Sequence, residues 1–177
     1  MNRVKQFVRA ITAHIDSKDR KYISIHLDDM EQDFFYAQSM PDQCHALNVS
    51  YTAEKIYQSM RSDRDKVDAE LLIRSALLHD IGRTKNDMGI HGKVFAVLMH
   101  KFMPRTSMNW ACPSRKGFLG FWRHVMYVYY HHPEIGAHML ENIGRLKESA
   151  IISRHHKKES PGDPLELRIL RKADELN

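Results

Sequence analysis

The chain has 177 residues, of which 42% are hydrophobic and 28% charged, with only eight glycines and six prolines. This composition is that of one ordinary globular domain with enough apolar side chains to bury a core, and no apolar run approaches the length of a membrane span. The formal net charge of +5 suits an anionic ligand. Because the lysines and arginines are scattered along the sequence, nucleic acid is not expected as a partner.

The two cysteines, Cys44 and Cys112, form neither a CxxC pair nor a disulfide framework. Disulfides are rare where the compartment is reducing, so we predict a cytoplasmic location.

Apolar residues recur at helical spacing along the first half of the chain. A first helix is predicted from the spacing of Val4, Phe7, Val8, Ile11 and Ile15. A turn at residues 16–19 and a helical segment up to residue 39 are expected next, which completes an N-terminal extension over residues 1–40. Pro41 suits the first turn of a helix that runs to about Arg61. The following helix is expected from about Val67, with Gly82 as its C-terminal stop.

The second half of the chain also has a helical pattern. A helix over residues 93–103 is expected to end at Pro104, and a loop to follow it as far as residue 117. Residues 118–130 are apolar on almost every side, which predicts a buried helix or a homo-oligomer interface. Pro133 is predicted to begin another helix, and two more are expected over residues 145–158 and 165–177. We therefore predict an all-α, single-domain helical bundle over residues 1–177.

The segment SALLHDIGRT, residues 75–84, ends an apolar helix with a histidine, an aspartate, a glycine and an arginine. Neighbouring residues on a helix point about 100° apart, so His79 and Asp80 can serve one site only if it lies over the end of their helix. An aspartate at the end of such a helix is costly to bury without a cation, an arginine or backbone donors. The segment therefore indicates a polar site at this helix end.

Other histidines and acids lie on apolar helix faces in the same way. Each has an alternative explanation when taken alone, as a hydrogen-bonded core histidine or as an aspartate that caps a helix or pairs with arginine. Taken together, they have the donor types from which helical bundles build two-metal sites, and imidazole with carboxylate suits iron, manganese, zinc or nickel. The residues that share this placement are His45, His79, Asp80, His132, His155, His156 and Asp174.

Several segments resemble the HD superfamily of metal-dependent phosphohydrolases. ALLHDIGR is similar to that family's most characteristic segment, HALNVSYTAEKIY to the helix with its first histidine, and ILRKADELN to the helix with its last aspartate. HHPEIGAHML and IISRHHKK are similar to segments that supply the second metal's histidines in the two-metal branch, which includes HD-GYP proteins. The likeness spans about residues 41–177, the predicted metal-binding core, although residues 85–130 match nothing in the family.

The resemblance implies two divalent metal ions, with iron or manganese favoured and zinc, nickel, cobalt or magnesium as alternatives. The metals would activate a water for hydrolysis of a phosphate ester or nucleotide. The first metal's ligands would be His45, His79, Asp80 and Asp174, and the second metal's would be Asp80 as a bridge, His132, His155 and His156. His131 is the alternative to His132, but the HPEIGA pattern has its ligand immediately before the proline.

The chain also departs from the family pattern. Arg83 takes the place of the lysine in HDIGK, and we predict it, with Asp80, as a catalytic residue that binds a substrate phosphate. The GYP signature is missing after His156, which argues against cyclic dinucleotides. Pro41 stands where some relatives have a glutamate, which argues against a third metal. Further basic residues proposed for an electropositive mouth are Lys101, Arg115, Lys116 and Arg123.

Two other functions use the same residues. The four-histidine, two-aspartate set also resembles the diiron oxygenases of the HD superfamily, and a non-catalytic sensor would use the aromatic helix as a partner surface. The aromatic residues of this region would form either a lid over the substrate or a packed contact, and packing is the favoured interpretation. They are Trp110, Phe118, Phe121 and Trp122.

Overall fold

Helices joined by short turns and loops make up the protein. The computed structural model describes residues 14–61 and 63–177, apart from the side chain of residue 90. The helices are α1 Ser17–His26, α2 Asp29–Ala37, α3 Met40–Ser59, α4 Ala69–Leu78, α5 Ile90–Phe102, α6 Pro104–Trp110, α7 Gly120–Asn142, α8 Leu146–Ile152 and α9 Leu165–Leu176, with a 3-10 turn at Arg64–Lys66. The described residues contain no strand beyond an isolated bridge between Gln38 and Thr84. The all-α prediction is therefore confirmed.

Helix α4 is the central helix of the bundle. It packs against α1, α2, α3, α8 and α9, and six of its ten residues are buried. Two groups of buried apolar side chains surround it, one shared with α1, α2, α3, α7 and α8 and one shared with α3, α8 and α9. Because α4 ends at Leu78, the chain delivers His79 and Asp80 directly into the interior of the bundle.

A third cluster joins α5, α6 and the first half of α7. Its buried members include Met88, Ala96, Val125 and Met126. The Phe95 and Trp122 rings pack against this cluster with centroids 4.5 Å apart. Among the described helices, none combines the length and apolar character needed to cross a bilayer.

The N-terminal predictions need correction. The predicted first helix lies outside the described residues except for Ile15, which is buried. The turn predicted at residues 16–19 is wrong, because Asp16 accepts hydrogen bonds from the backbone N–H groups of Lys18 and Asp19 and so caps α1. A second capping aspartate, Asp28, divides the predicted helical segment into α1 and α2.

Three predictions in the second half are also wrong. Residues 104–110 form α6 rather than a loop, with Pro104 at the first helical position, where its missing N–H costs nothing. Pro133 lies inside α7 and does not begin a helix. Helix α8 ends at Ile152, so His155 and His156 lie in the turns after it and not on its face.

Candidate metal centre

The turn after α4 holds the buried centre of the cluster. His79 is fully buried and Asp80 is 1% exposed. The Nε2 atom of His79 lies 3.6 Å from Asp80 Oδ2 and 3.9 Å from Asp174 Oδ1. His79 and Asp80 thus share one site over the end of α4, although adjacent residues of a helix point in different directions.

Gly82 brings this turn against α7 by close packing and not by a left-handed backbone. A Cβ built on Gly82 would lie 2.2 Å from the carbonyl oxygen of His132 and 3.0 Å from the backbone nitrogen of Gly136. Helix α4 ends at Leu78, so the prediction that Gly82 is its C-terminal stop is wrong, and among the described residues only Gly117 and Gly144 have positive φ. The missing side chain instead lets the His132 backbone approach the turn at residues 79–82, the HD turn.

Three buried histidines of the cluster are held in the same way. In each, Nδ1 lies within hydrogen-bonding distance of the backbone carbonyl three residues earlier: His79 with Ala76 at 2.9 Å, His132 with Tyr129 at 3.0 Å, and His155 with Ile152 at 2.6 Å. A carbonyl oxygen only accepts, so Nδ1 carries the proton in all three. In the neutral form of each ring, this proton on Nδ1 leaves the lone pair of Nε2 directed into the cluster, which is the tautomer that a metal ligand needs.

Pro133 has a direct part in this arrangement. In an uninterrupted helix the N–H of residue 133 would donate to the carbonyl of Tyr129, but proline has no N–H. That carbonyl accepts from the Nδ1–H of His132 instead. The proline inside α7 thus leaves a backbone acceptor for the histidine that precedes it, and this explains why His132 rather than the exposed His131 lies in the cluster.

Asp80 lies between two groups of side chains that could each hold a metal ion. One group is Asp80, His132, His155 and His156, and the other is His45, His79 and Asp80; within each group the donor atoms lie within 4.8 Å of one another. Asp80 Oδ1 is 3.2 Å from His132 Nε2 and 3.8 Å from His155 Nε2. Asp80 is the one residue common to both groups.

His45 on α3 and Asp174 on α9 close the other side of the cluster. The Nε2 atom of His45 lies 3.0 Å from Asp174 Oδ1, and both side chains are partly exposed. Two donors bound to one ion at about 2.1 Å can lie about 3 Å from each other, so this distance suits a shared metal. The pair also links α3 to α9, although the two residues are 129 positions apart in the chain.

Several buried donor atoms of this cluster lack a hydrogen-bond partner among the described residues. They are the Nε2 atoms of His79 and His155 and the Oδ1 atom of Asp80. A buried polar atom without a partner costs about 1–3 kcal/mol, and native proteins contain few of them. All three atoms are lone-pair donors, and they belong to the two donor groups that share Asp80, so divalent cations are partners that would satisfy them.

The charges of the cluster favour metal-binding protonation states. Burial lowers the pKa of His132 to about 4, helped by the nearby Arg83 guanidinium, and burial holds the pKa of His155 well below its usual range. Burial alone would raise the pKa of Asp80, but Arg83 and the neighbouring histidines outweigh it and lower that pKa. Near neutral pH His132 and His155 are therefore neutral and Asp80 is ionised.

In the pair formed by His45 and Asp174, the pKa of the histidine shifts in the opposite direction. Burial lowers the pKa of His45, but the hydrogen bond with Asp174 and the charges of Asp80 and Asp174 together outweigh burial and raise it overall. The same hydrogen bond lowers the pKa of Asp174 against the effect of burial.

Arg83 lies at the centre of the cluster without being a metal ligand. One guanidinium nitrogen donates to Asp80 Oδ2 at 2.6 Å, and the other lies 2.8 Å from His132 Nε2. The guanidinium offers only donors, so it pairs with the lone pairs that a second metal would use. Arg83 must turn away if an ion takes His132 and Asp80 together.

The other predicted substrate residues make their contacts elsewhere. Arg115 pairs with Asp87, and Arg123 donates to the Trp110 carbonyl at 3.1 Å. Lys101 and Lys116 are exposed, and neither contacts the cluster within the described residues. Their role in substrate binding stays a prediction.

The aromatic residues of the predicted lid divide into two kinds. The rings of Trp110 and Trp122 pack on Phe95, with centroids 6.3 and 4.5 Å away, which agrees with the packing interpretation. Phe118 and Phe121 are exposed.

A basic cleft beside the cluster was missed by the sequence reasoning. It has a volume of about 490 Å³ and contains side chains from the metal cluster, five basic residues and two glutamates. The signal was present in the sequence, because Lys157 and Lys158 follow His156 directly and Arg171 and Lys172 precede Asp174 on α9. The lining residues are His155, His156, Lys157, Lys158, Glu159, Arg168, Arg171, Lys172, Asp174 and Glu175.

Comparison with known protein families gives one match. The HD domain model matches residues 43–113, a segment that contains His45, His79 and Asp80. This match supports the HD superfamily, whose domains bind divalent metals and are commonly metal-dependent hydrolases. The segment covers less than half of the chain and ends before His132, but it includes residues 85–113, so the expectation that residues 85–130 match nothing in the family is wrong for that part. Searches of curated proteins and of solved structures found no significant match.

Proposed function

We propose that this protein is a two-metal phosphohydrolase that cleaves a phosphate ester or a nucleotide. The observation that carries the proposal is the group of buried lone pairs on His79, Asp80 and His155, which lack a partner and converge from both sides of Asp80. Two divalent ions at such a site would polarise a phosphoryl oxygen and lower the pKa of a bound water.

The residues fit two such ions in donor type and number. Imidazole nitrogen and carboxylate oxygen suit manganese, iron and zinc. We propose His45, His79, Asp80 and Asp174 for one ion, and Asp80, His132, His155 and His156 for the other. A carboxylate has two oxygens, so Asp80 can serve both ions, whereas an imidazole Nε2 serves only one.

The basic cleft supports a phosphate-bearing substrate. Its side chains from α9 and from the turns after α8 place positive charge next to His155, His156 and Asp174. Lys158 makes no ion pair among the described residues, so it is available to a phosphate group at the least electrostatic cost. Arg83 would provide a further cation inside the site once it leaves Asp80, and its planar guanidinium suits two phosphate oxygens.

Turnover by metal-loaded protein tests the proposal. Purified protein would be stripped with a chelator, reloaded with manganese or with iron, and assayed for phosphate release from a panel of phosphomonoesters, phosphodiesters and nucleotides. We expect turnover that requires metal and that disappears in Asp80→Ala. The control is Asp33→Ala, which removes an exposed carboxylate of α2 and should leave turnover unchanged.

Two results would reject the proposal. Full turnover in Asp80→Ala would exclude the shared carboxylate. Oxygen consumption by the iron-loaded protein, with no phosphate released from any substrate in the panel, would assign the cluster to the diiron oxygenases.

A further inference from the structure

One long stretch of the chain contains no acidic residue. Lysine and arginine occur throughout, but the 46 residues from 88 to 133 contain no aspartate or glutamate. This 88–133 segment carries six lysines and arginines, while the other 131 residues hold 21 lysines and arginines and 22 acids. The net positive charge of the chain therefore comes from this segment, which forms α5, α6 and the first part of α7.

The same segment holds most of the exposed apolar side chains. Fourteen large hydrophobic residues are exposed among those described, and nine of them lie in the 88–133 segment. Exposed apolar residues are ordinary when scattered singly, but a concentration in one part of a protein marks an interaction surface. The nine are Val94, Val97, Leu98, Phe102, Met103, Met108, Phe118, Leu119 and Phe121.

Helix α5 is apolar on two opposite faces. One face, with Phe95, Ala96 and Met99, packs into the third cluster. The opposite face presents Val94, Leu98 and their helical neighbours to solvent, and Lys101 lies in the middle of that stripe at helical spacing. Only one apolar face of a helix is needed for packing, so the second, exposed stripe is available for contact with a partner.

The loop before α7 projects a second apolar group. Gly117 has a φ of +87°, and Phe118 beside it is 99% exposed. Arg115 and Lys116 precede this tip, and Leu119 and Phe121 follow it. An aromatic tip beside basic residues combines apolar insertion with attraction to anionic headgroups.

We propose that the 88–133 segment docks the protein onto the surface of an anionic phospholipid membrane, without crossing it. The proposal is independent of the reaction at the metal cluster. Lys101, Arg105 and Lys116 are exposed and make no ion pair among the described residues, so their charge is available to anionic headgroups. The aliphatic and aromatic side chains between them would enter the boundary of the acyl region.

The charge pattern favours lipid over the other occupants. A two-fold contact between copies of this surface would bring Lys101 and its basic neighbours against like charges with no acid to pair them. Nucleic acid would match the charge, but six of the nine exposed side chains are aliphatic or thioether groups and have no ring on which a base stacks. An anionic bilayer complements both the cations and the apolar side chains.

Vesicle binding tests the proposal with the full chain. The two tryptophans, Trp110 and Trp122, both lie in the segment and are partly exposed, so tryptophan fluorescence reports on this segment. We expect co-flotation with vesicles of phosphatidylglycerol and phosphatidylcholine, quenching of the tryptophans by brominated lipid, and much weaker binding to pure phosphatidylcholine. Raising the salt from about 0.1 M to about 0.5 M should weaken binding by screening.

Matched variants separate charge from apolar contact. Lys101→Glu/Lys116→Glu should lower the vesicle partition coefficient by at least about tenfold, since each basic residue near an anionic surface contributes about fivefold. Phe118→Ser should lower it by about tenfold or more. The controls are Lys21→Glu/Lys55→Glu for charge and Leu146→Ser for an exposed apolar side chain outside the segment, and both should bind as the wild type does.

Circular dichroism of each variant would establish that it is folded. Wild-type protein that ignores anionic vesicles, or that binds neutral ones equally well, would overturn the proposal. So would segment variants that bind like their controls. A dimer that light scattering detects and that Phe118→Ser dissociates would assign the surface to a second copy of the chain. Binding of single-stranded RNA without vesicle binding would assign it to nucleic acid.

Discussion

Replacement of Gly82 by alanine probes the contact that brings α7 to the HD turn. The added Cβ would lie 2.2 Å from the carbonyl oxygen of His132, whereas real Cβ atoms stay more than 3.0 Å from such neighbours. The obstructing atoms are backbone, so no side-chain rotation relieves the clash. Helix α7 or the HD turn must therefore shift by about 1 Å, which is the gap between the built and the tolerated distance.

This shift has two measurable consequences. Overpacking in a dense interior costs about 1–3 kcal/mol, and a backbone clash belongs at the upper end, so Gly82→Ala should lower the free energy of unfolding by about 2–3 kcal/mol. The obstructing carbonyl belongs to His132 itself, so a displacement of about 1 Å far exceeds the tolerance of about 0.2 Å in a metal–ligand distance. We expect the metal affinity of the His132 side of the cluster to fall at least about tenfold.

Urea unfolding of chelator-treated protein would measure the stability change, and calorimetric titration with manganese would measure the affinity. Gly162→Ala is the matched control, because a Cβ there meets nothing within 4 Å and should change neither quantity. Wild-type stability and wild-type metal affinity in Gly82→Ala would refute the close-packing explanation.

The remaining predictions concern the same cluster. Pro133→Ala should stabilise α7 by up to about 3 kcal/mol in urea unfolding. It should also weaken metal binding about tenfold in calorimetric titration, because the restored N–H competes with His132 for the Tyr129 carbonyl. Unchanged metal affinity would contradict this explanation. Asp80→Asn should lose at least one metal by elemental analysis, and two retained metals would exclude the bridge. Arg83→Ala should keep both metals and lower kcat/KM for a phosphate ester at least about tenfold; metal loss would make its role structural. In chelator-treated protein, the lowered pKa of His132, about 4 against about 6.5 unfolded, means that the unfolded chain binds the proton first. Stability should thus fall by up to about 3 kcal/mol as pH drops from about 6.5 to about 4, and His132→Asn should reduce this slope in unfolding curves measured across that range.

Helices and their apolar faces could be predicted from the sequence because hydrophobic periodicity is a local property. Helix ends were less predictable. Asp16 and Pro104 carry signals that suit either a turn or a helix start, and only their hydrogen bonds and neighbours distinguish the two. Proline normally interrupts a helix, so the sequence predicts a helix start at Pro133, whereas the His132 side chain takes the carbonyl that the proline leaves.

For the metal centre, the sequence by itself determined the residue types and their order along the chain. Histidines and acids on apolar faces are costly to bury without partners, so their placement alone indicated a shared polar site. The spacing of His45, Asp80 and Asp174 along the chain says nothing about distance in space, and only tertiary packing brings the donor atoms of α3, α4 and α9 within reach of one another.

Tertiary structure alone also decided what surrounds those donors. The tautomers of the buried histidines depend on helix carbonyls, the approach of α7 depends on the absence of a side chain at Gly82, and the position of Arg83 depends on both. The same holds for the outer face of α5, because an apolar helix surface is core or contact surface according to whether another element covers it. Local sequence sets the chemistry of each side chain, but its partners come from distant parts of the chain, and only the folded backbone determines which of them meet.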